Sequence, residues 1–133
     1  DMSGNAEEFT AAYLNNNNGN LNNNGASIVG SSDKYKDVYS VGVTDNQANN
    51  FATTINKKGD AIYETIGVIN SWTGAWYSNH AYMASKTCPW FWRGGSTGED
   101  DGADIFAINY AEGNFENGAW NTSRFIIVVG QGL

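Results

Sequence analysis

Two groups of acidic residues have the residue types and the spacing that could bind a metal ion or catalyse a reaction. In the first, four carboxylates fall within six residues, and Ca²⁺ is a hard cation that prefers such oxygen ligands. Their spacing differs from that of the twelve-residue EF-hand loop, so a solvated acidic loop is the alternative interpretation. The four are Glu99, Asp100, Asp101 and Asp104. In the second, Glu112 and Glu116 bracket a Gly- and Asn-rich loop, where a glycosidase-type carboxylate pair is also conceivable.

The sequence has few residues that could bind zinc or act as a catalytic thiol. The chain has one cysteine, Cys88, and one histidine, His80, whereas a structural zinc site takes about four ligands and a nucleophilic thiol needs a base beside it. Cys88 lies next to a proline and has no basic residue closer than Lys86, so we interpret it as a small buried residue. His80 stands among aromatic residues, where a contact or hydrogen-bonding role is the common one.

The segment from Pro89 to Ser96 is the most specific feature of the sequence. Alternation along a strand places Trp90 and Trp92 on one face and Phe91 on the other. Arg93 follows, and two glycines then permit a sharp bend or a close backbone approach. The tryptophan pair could form a stacking platform for a sugar or a protein side chain, or it could fill the core of a small domain. The sequence leaves both interpretations open.

The overall composition excludes several classes of partner. The 133 residues suit a single domain, 1–133, and the net charge of -7 with only seven Lys and Arg opposes nucleic-acid binding. No apolar run is long enough to cross a membrane. The acidic, Asn-rich and lysine-poor composition favours a protein that works outside the cytoplasm. Because the chain starts at Asp1, we expect it to be a fragment or a processed product.

The elements that must position these residues are predicted from periodicity and belong to an α+β fold. The capping-box pattern at Asn5 predicts a helix over 6–14. The Asn-rich run over 15–25 predicts a loop, which either connects two elements or faces a ligand. A strand is predicted over 36–43, a helix over 45–55 with Asp45 as its cap, and a strand over 61–65. The β-branched run 124–129 predicts a strand at the centre of the sheet. Residues 1–34 thus form a helix and loop ahead of a core spanning 35–129.

Several short motifs occur in a recognisable order. They are the stretch 58–65, Ser71-Trp72, Pro89-Trp90-Phe91, the Arg-Gly-Gly-Ser turn after it, and Arg124-Phe125 before the final apolar run. Over roughly 35–129 this set resembles the formylglycine-generating-enzyme type of C-type lectin fold, although Arg124-Phe125 reverses the family's Phe-Arg order. The resemblance implies two helices on a small, mostly antiparallel sheet with long irregular loops on one face. It does not imply the enzyme activity, because that needs a thiol arrangement this chain lacks.

The wider fold includes variable proteins of diversity-generating retroelements and phage and Gram-positive surface proteins that act as receptor-binding tips or adhesins. By this resemblance we expect a non-catalytic, extracellular module of a virion or cell surface that binds a protein or glycan on another surface. Ca²⁺ is the only cofactor that we consider possible, and the chain could form homo-oligomers. The ligand-facing residues it implies are Trp76, Tyr77, His80, Tyr82, Trp90, Trp92, Asn109, Tyr110, Asn114 and Trp120. The alternatives are a structural subunit, such as a capsid decoration protein or a pilin-like filament subunit, and then a carboxylate glycosidase.

Overall fold

A computed structural model describes residues 7–54, 59–60, 62, 64, 81–95, 107–114 and 121–122. Within them the α+β class is confirmed. The elements are β1 (Glu7–Asn15), α1 (Gly19–Val29), β2 (Asp37–Ser40), α2 (Gln47–Thr53), β3 (Trp90–Arg93), β4 (Ile108–Ala111) and β5 (Asn121–Thr122), with a 3₁₀ turn at Asp33–Tyr35. In this part of the chain no helix combines the length and the apolar composition needed to cross a bilayer.

The strands form one mixed sheet in which β1 has partners on both edges. The sheet path is β2-β1-β3-β4, and β5 pairs with the first residues of β1. β1 runs parallel to β2 and β5, whereas β3 is antiparallel to both β1 and β4. The sequence predicts a mostly antiparallel sheet, whereas the described strands form a mixed sheet with two parallel and two antiparallel pairings. The parallel pair of β1 and β2 requires a long connection, and α1 lies in it. The predicted central strand 124–129 lies outside the described residues.

The first element, β1, is a strand where the sequence predicts a helix over 6–14. Its side chains are buried on both faces of the sheet, with Ala12 and Leu14 in one core cluster and Tyr13 in the other. The ladder with β3 is also irregular between Phe9 and Tyr13. Because β1 carries apolar residues on both faces and its pairing with β3 is irregular, its apolar residues recur every three or four positions, as they do in an amphipathic helix. Periodicity alone therefore gives the wrong element.

The Asn-rich run that predicts a loop contains most of helix α1, so this prediction is also wrong. The Asn18 side chain caps the helix by accepting from the N–H of Asn20 at 2.9 Å. Asparagine is a poor helix former, so tertiary contacts must stabilise the helix. The Asn20 amide donates to the Thr87 carbonyl at 2.7 Å, and the Asn24 amide donates to the Glu112 carbonyl at 2.8 Å. These side chains hold α1 against segments far along the chain.

The predictions over 36–43 and 45–55 are confirmed as the shorter elements β2 and α2. The cap of α2 is Asn46, whose side chain accepts from the N–H of Asn49 at 2.9 Å, and not the predicted Asp45. Asp45 lies one residue too early to cap, and its carboxylate instead accepts from the Asn50 side chain at 2.8 Å.

The strand predicted over 61–65 is wrong at its two described positions, since Ile62 and Glu64 are helical. The N–H of Ile62 donates to the Asp60 carboxylate at 2.9 Å, and the N–H of Glu64 donates to the Asp60 carbonyl at 3.0 Å. Asp60 therefore acts as a helix cap. This local signal outweighs the β-propensity of the residues that follow it.

The two faces of the sheet carry separate core clusters. One cluster contains Tyr13, Trp90 and Leu21 of α1, with Ile28 of the same helix packed against it. We call this side of the sheet the α1 face. The other cluster has Phe51 of α2 packed against it, and we call this side the α2 face. Its buried members include Leu14, Tyr39, Met83, Phe91 and Ile108.

Candidate ligand-binding grooves

Trp90, one of the residues expected to face a ligand, lies in the core of the α1 face. The predicted alternation is confirmed, since Trp90 and Phe91 belong to the clusters on opposite faces. The Trp90 side chain is 3% exposed, its ring centroid lies 5.4 Å from that of Tyr13, and its Nε1 donates to the Asn20 carbonyl at 3.2 Å. Burial therefore supports the core interpretation of Trp90 and corrects its assignment to the ligand surface.

Two glycines make room for the Trp90 ring. A Cβ placed on Gly25 would lie 2.2 Å from Trp90 Cζ2, and one placed on Gly113 would lie 2.4 Å from Trp90 Cδ1. Gly113 also has a φ of +86°, a conformation that favours glycine. The indole ring thus fits only because α1 and the loop after β4 both lack a side chain at these points.

Trp92 and Asn109 lie at the margin of the α1 face. Trp92 is half-buried beside Phe9, with ring centroids 5.3 Å apart, and its enclosed Nε1 has no hydrogen-bond partner among the described residues. Asn109 is opposite Trp92 in the β3–β4 ladder, and its side-chain oxygen accepts from the N–H of Tyr110 at 2.8 Å. Neither residue shares a face with Tyr110, because successive strand residues alternate.

Tyr82 and Tyr110 form an aromatic pair on the α2 side. Tyr110 is opposite Phe91 in the ladder, and its ring packs edge-on against Tyr82 with centroids 5.8 Å apart. Both are half-buried. Burial, together with the neighbouring Tyr110, raises the pKa of Tyr82, so its hydroxyl stays neutral at physiological pH. Those of the expected ligand-binding residues that the structure describes are therefore divided between two faces of the sheet.

The remaining predicted positions are exposed or outside the described residues. Asn114 and Glu112 are exposed after β4. The positions outside the described ranges are Trp76, Tyr77, His80, Glu99, Asp100, Asp101, Asp104, Glu116 and Trp120. In the described part of the chain, no three His, Cys, Asp or Glu side chains gather in a way that could hold a metal ion. The predicted calcium cluster falls outside that part and stays a prediction.

A groove that we call the α2 groove opens between the start of α2, the turn before β3, and β4. Its volume is about 440 Å³. It is lined by Asn46, Gln47, Ala48, Ser85, Lys86, Thr87, Cys88 and Tyr110. The Gln47 Oε1 atom is enclosed and has no hydrogen-bond partner among the described residues. Burial raises the pKa of the half-buried Cys88 thiol, which keeps it protonated and unreactive.

A hydrogen-bond network holds one wall of the α2 groove to the other. The fully buried Asn50 donates to Asp45 at 2.8 Å and to the Ala84 carbonyl at 2.9 Å, and it accepts from the N–H of Gly42 at 2.8 Å. Asn16 donates to Asp45 at 2.9 Å. Burial alone would raise the pKa of Asp45, but the bonds from Asn50, the Lys86 backbone and Asn16 outweigh it and lower that pKa below its usual 3.8. Asp45 is thus a charged acceptor at neutral pH.

A second pocket, which we call the Arg93 pocket, contains charges that the sequence analysis does not bring together. Its volume is about 320 Å³, and it lies where β1, β2 and β3 meet on the α2 face. It is lined by Thr10, Ala11, Ala12, Asp37, Asp60, Ile62 and Arg93. Burial and the nearby carboxylates of Asp60 and Asp37 raise the pKa of the adjacent Tyr39 far above its ordinary value, so this hydroxyl stays protonated. No motif or spacing in the sequence signals this pocket, because strand pairing and a helix start far along the chain assemble it together.

Comparison of the chain with protein-family models, with curated protein sequences and with solved structures finds no match.

Proposed function

We propose that this chain is a non-catalytic ligand-binding module of a phage or bacterial surface, and that the α2 groove is its binding site. The observation that carries the proposal is a half-buried tyrosine, Tyr110, at a groove with a polar rim. Tyrosine offers a large contact area at a small cost in side-chain entropy. Tyr82 packs edge-on against the Tyr110 ring and supports its orientation.

The rim of the α2 groove supplies adaptable polar contacts. Gln47 has an enclosed oxygen without a partner among the described residues, and the hydroxyls of Ser85 and Thr87 can donate or accept. The Asp45–Asn50 network holds the Ala84 carbonyl against α2. A site whose walls are already tied together loses less conformational entropy on binding. These features suit recognition of a protein or glycan on a cell surface.

The C-type lectin-like arrangement and the location on a virion, a cell surface or elsewhere outside the cell belong to the same proposal. They are supported by the ordered motifs of the sequence and by its acidic, lysine-poor composition. The described strands and helices are compatible with an α+β module of this kind.

The proposal is tested by binding of the labelled full chain to a panel of immobilised glycans and to intact bacterial and host cells. We expect at least one saturable target, and we expect Tyr110→Ala to weaken that binding by about tenfold or more, as for an aromatic hot spot. Tyr35→Ala is the matched control, because Tyr35 is 64% exposed and does not line the groove. Thermal melts establish that both variants fold. Absence of any target, or equal binding by Tyr110→Ala and the wild type, would contradict the proposal.

A structural subunit is the second candidate, and exposed apolar side chains after β2 favour it. Val43 is completely exposed and Val41 is 38% exposed. Exposed apolar side chains two positions apart suit contacts between copies of the chain. Sedimentation velocity over a concentration series separates the candidates. Open-ended assembly that Val43→Asp abolishes would favour the subunit, whereas a discrete monomer or small oligomer would favour the binding module.

A further inference from the structure

The Arg93 pocket is built from three strands and one helix cap. β2 places Asp37 in register with Ala12 of β1, and β3 places Arg93 in register with Glu8. Between these two register points β1 is irregular. There, Thr10 donates its hydroxyl to the Phe91 carbonyl at 3.1 Å instead of continuing the ladder. Thr10, Ala11 and Ala12, which line the pocket, all lie in this irregular stretch.

The charges around this pocket do not neutralise one another directly. Among the described residues, the only ion pair within 4.0 Å is Lys36–Asp33, so Arg93 contacts neither Asp37 nor Asp60 at that distance. The Arg93 Nε atom is enclosed and has no hydrogen-bond partner in the described part of the chain. One oxygen of Asp60 accepts from the N–H of Ile62, and the Asp60 carboxylate also interacts with the Tyr39 hydroxyl. Asp37 is exposed at the surface. The described lining of the pocket thus includes one guanidinium and two carboxylates that form no ion pair with one another within 4.0 Å.

We propose that the Arg93 pocket binds a free basic α-amino acid of the lysine class. The ligand's α-carboxylate accepts from the planar guanidinium fork of Arg93, which suits a carboxylate better than a point charge does. Its α-ammonium donates to Asp60, and its side-chain ammonium donates to the exposed Asp37 at the mouth. Ala11 and Ile62 offer apolar surface to the methylene chain.

Charge balance favours this ligand class over others. The pocket carries two negative charges and one positive charge, and the uncharged Tyr39 hydroxyl lies beside them. A lysine-like zwitterion carries two positive charges and one negative charge, which are opposite in sign to the three charges that line the pocket. An acidic amino acid would place a second carboxylate against Asp37, and a simple diamine would leave Arg93 without an acceptor. This site is separate from the α2 groove and does not depend on the function proposed there.

The experiment is an amide-resolved NMR titration of the full chain with three probes. L-lysine carries all three charged groups, L-norleucine lacks the side-chain ammonium, and cadaverine lacks the carboxylate. We expect L-lysine to shift the resonances of Thr10, Ala12 and Arg93, and to bind about tenfold more tightly than either other probe, the scale of one charge-assisted hydrogen bond. No shift at these residues with tens of millimolar L-lysine, or equal binding of L-lysine and cadaverine, would overturn the proposal.

Two conservative variants test the assignment of each group. Asp37→Asn should reduce L-lysine affinity to that of L-norleucine, and Arg93→Lys should weaken both, since the ammonium keeps the charge but loses the fork. Asp33→Asn is the matched control, because Asp33 is an exposed carboxylate outside the pocket, and it should change nothing. Circular dichroism melts establish folding. An unchanged preference for L-lysine over L-norleucine in Asp37→Asn would also overturn the proposal.

Discussion

The α1 face and the α2 face differ in whether their polar side chains have hydrogen-bond partners. On the α1 face, Asn20 and Asn24 donate to backbone carbonyls, and the Trp90 ring lies between two glycines. On the α2 face, enclosed polar atoms of Gln47 and Arg93 have no partner within the described residues, and each belongs to a groove. On the α1 face, Trp92 Nε1 is the one enclosed side-chain polar atom without a partner within the described residues. The α2 face leaves groups available to a ligand.

This difference has a physical basis in what each polar group contributes. An amide that donates to a backbone carbonyl adds stability, whereas an enclosed donor or acceptor without a partner costs free energy. Groups of the second kind persist where function requires them or where the surrounding structure imposes them. We therefore expect substitutions of hydrogen-bonded polar groups, on either face, to change stability, and substitutions of the unpartnered groups that line the grooves to change binding.

The largest expected effect comes from placing a side chain against Trp90. Gly113→Ala combines a strained positive φ with a Cβ 2.4 Å from the indole, so we expect the free energy of unfolding to fall by about 3 kcal/mol. Denaturant unfolding followed by tryptophan fluorescence measures it. Gly59→Ala is the control, because Gly59 has a φ of +91° but nothing within 4 Å of its Cβ, and it should cost only about 1 kcal/mol. Equal losses in the two variants would show that the packing of Trp90 is unimportant.

Removal of the Asn50 side chain should have the next largest effect. Asn50→Ala leaves the Gly42 N–H and the Ala84 carbonyl without their partners, and we expect a loss of about 3 kcal/mol or slightly less. Differential scanning calorimetry measures the change. The same substitution at the exposed Asn23 should stay within about 0.5 kcal/mol of the wild type. A loss below about 1 kcal/mol at Asn50 would mean that its network does not hold α2 in place.

Asp45 should give a smaller effect that depends on pH. Its pKa in the folded protein is depressed, so its stabilising contribution is present above its usual pKa of 3.8 and is lost as the pH falls through the lower folded value. We expect Asp45→Asn to cost about 2 kcal/mol at pH 7, the scale of hydrogen bonds to a charged group. Urea unfolding of wild type and variant at a series of pH values should show the gap narrowing below pH 3.8. A gap that does not change with pH would rule out the charge as its source.

The smallest expected effect tests one amide of α1. Asn24→Ala removes the bond to the Glu112 carbonyl and should cost about 1 kcal/mol relative to Asn23→Ala. The two positions share the same helix and the same change in helix propensity, so their difference isolates the bond. Paired thermal melts suffice for the measurement. If the two variants had the same melting temperature, the Asn-rich face of α1 would be a solvated surface, as its composition suggests.

Local patterns predict part of this fold well. The alternation of Trp90 and Phe91 is confirmed, because the two side chains of a strand point to opposite sides wherever the strand is placed. Helix α2 is also found close to its predicted position, because its start signal and its apolar face lie within ten residues. The burial of Trp90 could not be predicted, since a strand residue faces either a core or a ligand depending on what covers it.

By itself, the sequence determined the α+β class, helix α2 and the side-chain alternation of β3. Only the tertiary structure decided that 7–15 is a strand and that the Asn-rich run is a helix. The hydrogen bonds that stabilise that helix join residues 67 and 88 positions apart. The Arg93 pocket depends in the same way on strand register, which brings Asp37 and Arg93 to one place. Local propensity acts over a few residues, whereas these contacts exist only once the sheet has formed.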